Sequence, residues 1–191
     1  MTNVEHLRSA LPETAKDVKL NLEAVLQGGS LGVAQRWGVA IASAAASRNG
    51  RLRDAILADA RREVDAAIVD DALAAATPMA MTNVYYRFCH IVGKPSYAAR
   101  PARLRMKRLG RPASDKANLE LFSLAASAIA GCEACVVAHE GVLIQAGVSE
   151  EQIHDAIRIA ATVHAVAVAL ELGPAALPSD AARVAESAVV S

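Results

Sequence analysis

An all-α fold is the expectation from three observations: small aliphatic residues dominate, aromatics are scarce, and helix start and stop signals recur along the chain. Apolar residues make up 53% of the 191 residues, mostly Ala, Val and Leu, while aromatics are 3%. Sandwiches and barrels draw more heavily on aromatic and β-branched residues, so closely packed helices are favoured. The length suits one domain or two small repeats and is enough to bury a sizeable core. Twenty basic and twenty acidic residues give zero formal charge, so no overall field calls for nucleic acid or an anionic membrane.

Residues 1–29 read as a helical lead-in of two short helices about Pro12, closed by Gly28-Gly29. This start is polar, without the apolar core or small-residue cleavage site of a signal peptide. Ser30 is the expected cap of a helix that runs through Trp37 and Val39–Ser47 to about Asn49-Gly50. Leu52–Val64 reads as a charged amphipathic helix. Ile68–Arg87 is a longer apolar helix, bent or interrupted at Pro78. Residues 91–118 hold Gly93, Pro95, Pro101, Gly110 and Pro112 among eight basic residues and one acidic one, Asp115, and read as a solvated basic connector. Helical periodicity resumes over Asn118–Ala130, breaks at Gly131 and continues from about Cys132 to Ala146. Ser149-Glu150-Glu151-Gln152 has the form of a capping box and opens a last long helix that stops at Gly173-Pro174. The tail from Ala175 is expected to pack loosely, with Asp180 as the cap of a final short helix. No uncharged apolar run reaches the roughly 18 residues of a membrane span, so a soluble, cytoplasmic protein is expected.

Shifting the chain by 84 residues sets Ala42-Ser43-Ala44 on Ala126-Ser127-Ala128 and Asp71-Ala72-Leu73 on Asp155-Ala156-Ile157. The reading is therefore one helical domain over 1–191 built from two degenerate repeats, 1–90 and 119–191, joined by the 91–118 connector. At this shift Glu120, Cys132, Cys135 and His139 fall on Arg36, Arg48, Arg51 and Ala55, so the first half is a copy without the chemistry.

That chemistry lies in Gly131-Cys132-Glu133-Ala134-Cys135-Val136-Val137-Ala138-His139. On a helix with Cys132 at 0°, Cys135 falls at about 300° and His139 at about 340°, on one narrow face. Cys132 follows a helix-breaking glycine, where free N–H groups and the helix dipole favour a thiolate over a thiol of ordinary pKa about 8.5. Cys135 is expected to face His139 and exchange a proton with it. Glu120, if the turn at Gly131 folds its helix alongside, can orient His139 or accept its proton. The spacing also lets the two sulfurs pair, giving a thiol–disulfide couple. A zinc site is the alternative, with Cys89 or Glu120 as fourth ligand. His164, inside an apolar run, reads as a packed core histidine, Cys89 as core, and Trp37 as an anchor of the first half.

Glu120 with Cys132-x-x-Cys135-x-x-x-His139-Glu140, then Gly147-Val148, resembles the alkyl hydroperoxide reductase D family within the carboxymuconolactone decarboxylase superfamily. Leu11-Pro12-Glu13, Lys16-Asp17-Val18-Lys19-Leu20-Asn21-Leu22, Trp37-Gly38, Asn83-Val84-Tyr85-Tyr86-Arg87 and Leu104-Arg105-Met106 extend the similarity to nearly the whole chain. The resemblance implies a homotrimeric, all-helical peroxidase with no bound cofactor or metal. In it Cys135 is oxidised to sulfenic acid, Cys132 donates a proton and closes a redox-active disulfide, and His139 and Glu120 relay protons. It further implies dihydrolipoamide on an acyltransferase as electron donor and a partner peroxiredoxin, the C component, as recipient. Some members carry a histidine immediately before the second cysteine, where this chain has Ala134. A lyase acting on a small lactone or keto acid, as the superfamily name allows, is the alternative enzyme class.

Overall fold

The computed structural model describes residues 1–173, and among these every regular element is helical. The expected loose tail from Ala175 and the Asp180 cap lie outside the described residues. Helix α1 (Asn3–Ser9) and a 3-10 turn (Glu13–Ala15) lead into α2 (Lys16–Gln27), which ends at Gly28. Then follow α3 (Val33–Ala46), α4 (Gly50–Glu63) and α5 (Ala66–Val92). The connector contains one short helix, α6 (Pro95–Ala98), and a 3-10 turn (Lys107–Gly110). Beyond it come α7 (Lys116–Ala130), α8 (Glu133–Gln145) and α9 (Glu150–Leu172).

Helices α3 and α7 form the centre. They pack on each other; α5 covers both, α9 covers both from another side, α4 lies on α3, and α8 on α7. Their sequences explain that position. The run Gly38–Ala44 in α3 is buried throughout, as is Leu121–Ser127 in α7, and small side chains let the backbones approach. At Gly38 the approach is closest, because the Phe122 ring occupies the space that a Cβ would need. Helix α9 is long and apolar enough to cross a membrane by length and composition, although its uncharged run stays short of a span, as the sequence leads one to expect. In the fold it lays Ala156, Ile159, Ala160, Val163, Val166 and Ala167 into the core.

Several expectations are corrected by long-range contacts. Ser30 does not cap α3, whose N-cap is Gly32. Its amide and hydroxyl instead donate to Asp155 Oδ2 at 2.7 and 2.8 Å. Helix α5 is not interrupted: it is continuous through Pro78 and runs five residues past Arg87. Pro78 removes one hydrogen bond from a helix whose packing on α3 and α7 outweighs the loss. The connector is consequently shorter than 91–118, and its single acid, Asp115, is the N-cap of α7, accepting from the Asn118 amide at 2.8 Å. Nor is the connector simply solvated, since Arg108 pairs with Asp70 and Asp71.

The 84-residue shift carries Ala66 at the start of α5 onto Glu150 at the start of α9, and Ser30 onto Ser114. Asp71 accepts from the amides of Ala113 and Ser114 and the Ser114 hydroxyl at 2.6 to 2.8 Å, the counterpart of Asp155 with Ser30. Each carboxylate thus holds the start of the central helix of the opposite half. The correspondence slips at α4, because the turn before it is one residue longer. Asn49, the N-cap of α4, stands where Cys132 is the N-cap of α8. Leu52 and Ile56, fully buried, therefore occupy the places of Cys135 and His139, rather than the exposed Arg51 and the half-buried Ala55.

Burial disfavours charge on Asp71, but its amide, hydroxyl and guanidinium donors outweigh that and hold its carboxyl below the ordinary value. The Ser30 amide and hydroxyl, with Arg158, hold Asp155 at about 2. A carboxyl lowered by folding stabilises the fold above its unfolded pKa and loses that contribution as pH falls through its folded value. Asp155→Asn should therefore cost about 2 kcal/mol at pH 7 and about half that at pH 3. Urea unfolding of both forms at the two pH values checks this; an equal cost at both would assign the loss to packing instead.

Candidate active site

The cysteines are placed by the α7–α8 turn and by one contact made to it from α5. Gly131 ends α7 in the left-handed region at φ +67°, which a side chain would resist. The Cys132 amide returns to the Ser127 carbonyl at 3.2 Å, and Arg87 from α5 donates to the Ala130 carbonyl. Cys132 is then the N-cap of α8 with extended backbone, outside the helix, so its predicted helical azimuth does not apply. The two residues still meet: Cα atoms lie 5.3 Å apart and the sulfurs are bonded as a disulfide. Cys132 is fully buried and Cys135 is 7% exposed.

Cys135 lines an open groove of about 320 Å³ together with Met79, Thr82 and Tyr86 of α5, Met106, Leu109 and His139. The lining is mostly apolar. Cys132 is not part of it. Ala134 lies at the rim shared with a second, larger groove of about 680 Å³, which holds Tyr85, Tyr97, Lys94 and Arg100. Cys89 belongs to that second groove and is half-buried, not core.

Antiparallel packing of α7 on α8 brings Glu120 Oε2 to 2.7 Å from His139 Nδ1, the pairing expected from sequence. Their side chains are only 20% and 16% exposed. The expected contact between His139 and Cys135 is replaced by another: His139 Nε2 lies 3.3 Å from Met79 Sδ. Both ring nitrogens of His139 therefore have a neighbour, the Glu120 carboxylate at Nδ1 and the Met79 thioether at Nε2. Glu120 also lines a separate cleft with Lys116, Val142 and Gln145. One member of the pair thus lines the cysteine groove and the other this cleft.

Met79 went unnoticed in the sequence, since a methionine in an apolar helix reads as core. Behind it lies a buried polar group: the Ser127 hydroxyl donates to Asn83 Oδ1 at 3.0 Å and sits 3.4 Å from Met79 Sδ. His164 is not a core histidine. It is exposed on α9, with Nδ1 3.1 Å from Ser47 Oγ. For the zinc alternative, no three His, Cys, Asp or Glu side chains converge among the described residues.

Residues 95–177 match the model of the carboxymuconolactone decarboxylase family. Over 183 residues the chain is 66% identical to the alkyl hydroperoxide reductase AhpD of Anaeromyxobacter dehalogenans (strain 2CP-C), covering 95% of this chain and 98% of that protein. The chain belongs to the AhpD family. A more distant AhpD, from Rhodospirillum centenum, is 48% identical over 169 residues, covering 88% of this chain and 91% of its own length. The AhpD matches thus cover nearly the whole chain, whereas the superfamily model begins only at α6.

Within this AhpD-family site, Ser127 is the buried hydroxyl on which Asn83 depends. Ser127→Ala should destabilise the protein by about 1–2 kcal/mol, because it strands the Asn83 carbonyl in the interior. Ser127→Cys keeps only a weak donor on a larger atom, 3.0 and 3.4 Å from what the hydroxyl now touches, and should lose stability as well. Thermal unfolding of the two variants measures both; no loss in Ser127→Ala would contradict this role.

Proposed function

We propose that this AhpD-family chain is a thiol-dependent hydroperoxide reductase whose Cys132–Cys135 pair is opened and closed in each turnover. The observation that carries the reading is the pairing of these cysteines beside an apolar groove, one helical turn from the His139–Glu120 pair.

Cys135 is the attacking sulfur in this reading. Two properties of the turn compete for that assignment: Cys132 takes the N-cap, where an anion is best held, while Cys135 is the sulfur on the groove. Attack requires access, and Cys135 still lies within the first turn of α8, where the helix dipole favours its thiolate. The thiolate displaces alkoxide from the peroxide O–O bond and becomes a sulfenic acid. The proton that the Cys135 thiol gives up on becoming the thiolate passes through His139 and Glu120 and converts alkoxide to alcohol. The Cys132 thiol then condenses with the sulfenic acid, releasing water and forming the disulfide. An external dithiol restores both thiols and leaves as its own disulfide.

For the electron donor we propose dihydrolipoamide borne on an acyltransferase, and for the recipient a partner peroxiredoxin, with no cofactor resident in the chain. The groove of tyrosines, Lys94 and Arg100 adjoining Ala134 suits a protein that delivers such a dithiol. A homotrimer is proposed on the exposed apolar residues Phe88 and Ile91 of α5 and Val168 and Leu172 of α9. A cytoplasmic place fits a disulfide that must be reduced each cycle. Ala134 removes any relay histidine between the cysteines, so His139 and Glu120 carry the proton alone.

With Cys89 blocked, one equivalent of an organic hydroperoxide should lower the intact mass of the reduced protein by two hydrogens, mapped to Cys132–Cys135. Cys135→Ser should lose peroxide turnover by about 10²-fold or more. Cys132→Ser should accumulate a species one oxygen heavier at Cys135. Full activity in either variant would instead favour the lyase reading, which needs no disulfide.

A further inference from the structure

A second pocket, about 330 Å³, opens where the C-terminal ends of α3 and α7 meet α5 and α9. It is separate from the cysteine groove and shares no lining residue with it. Its walls are alanines of α3, α5 and α7 together with Ile129 and Val84. Its polar groups are Ser47, Arg48, Asn83, Arg87 and His164, with no carboxylate among the lining residues. We propose that this pocket binds a small amphipathic anion, a carboxylate or phosphate head on an apolar body, through Asn83, Arg48, Arg87 and the Ser47–His164 pair.

Donor accounting points there. Asn83 is 2% exposed, and its Oδ1 is taken by Ser127, yet its Nδ2 has no hydrogen-bond partner among the described residues. A buried amide donor without a partner is rare, and one that lines a pocket calls for an acceptor within it. Arg87 spends Nη1 on the Ala130 carbonyl and retains further N–H groups. Ser47 and His164 share a single hydrogen bond. Whichever of them donates, one N–H or O–H is left over. Arg48 adds a full charge at the mouth.

The backbone supports the same conclusion. Arg48 lies in the left-handed region at φ +60°, a conformation that side chains seldom adopt. The equivalent turn in the second half uses Gly131 for its left-handed residue. A strained arginine in place of an unstrained glycine is the kind of outlier found at ligand-binding positions. The volume is at the low end of small-molecule sites, about 300–1,000 Å³, and the alanine walls suit a short hydrocarbon body.

The test is calorimetric titration of the full-length assembled protein with octanoate, octyl phosphate, octylammonium and octanol. Octanoate or octyl phosphate should saturate at one per chain, the tighter of the two identifying the head group, while the cation and the alcohol should bind at least about tenfold more weakly. Arg48→Gln and His164→Leu alter exposed residues and should retain the fold. Each should weaken binding of the anion about tenfold. Equal binding of octanol or octylammonium, affinities unchanged in both variants, or no saturable binding of either anion would overturn the proposal. Failure of this site is distinguishable from failure of the cysteine chemistry, because Arg48 and His164, the residues changed, lie outside the cysteine groove and make no hydrogen bond to its turn among the described residues.

Discussion

Phe122 fills the volume that Gly38 leaves empty, and the placement of α7 follows from that contact. Both residues lie in runs of small buried side chains, so two helices can approach closely along their central turns. Once α7 is fixed against α3, Glu120 and Ser127 on α7 have fixed positions, and the turn at Gly131 sets where α8 must start. Overfilling the Gly38 position would push the ring aside, and the strain would pass along α7 toward Glu120 and the cysteine turn. The carboxylates Asp71 and Asp155 complete the frame. Each is a side chain on one long helix that holds the start of α7 or the loop leading to α3.

Much of the helical layout was legible because helix ends are written locally. The Ser149–Gln152 capping box, Gly28, Gly131 and Gly173 all act within one turn of their own position. The cysteine pair and the Glu120–His139 contact were legible for a related reason: α7 and α8 join by a short turn, so their facing residues follow from helical geometry. Features that depend on distant partners were not. Ser30 looks like a cap until Asp155, 125 residues away, takes both its donors. Met79 looks like core until α5 lies across α8. Pro78 marks an expected break, but packing on two neighbours holds α5 together. The one-residue slip at α4 lies in a turn whose added residue carries no sequence mark except Arg48 in an unusual conformation.

Proton and sulfur chemistry are divided among elements with different duties. Helix α8 and its N-cap carry the two sulfurs and the imidazole, α7 carries the carboxylate, and α5 supplies part of the groove wall and the thioether beside His139. His139 is held by Glu120 on one side, and on the other it meets Met79, a soft and weakly accepting neighbour. In the proposed cycle the imidazole is thus positioned by a carboxylate rather than by the sulfur it serves.

The first half uses its N-cap position as helices ordinarily do: Asn49 Oδ1 accepts the Leu52 amide at 2.9 Å. In the second half the same position belongs to Cys132, and α8 begins without a side-chain cap. With the disulfide closed, the first turn of α8 is held by its backbone alone, the Val136 amide donating to the Cys132 carbonyl at 2.9 Å. The cap that a side chain supplies in α4 is thus given up in α8 to the position where, in the proposed cycle, a sulfur must be free to leave one bond and form another.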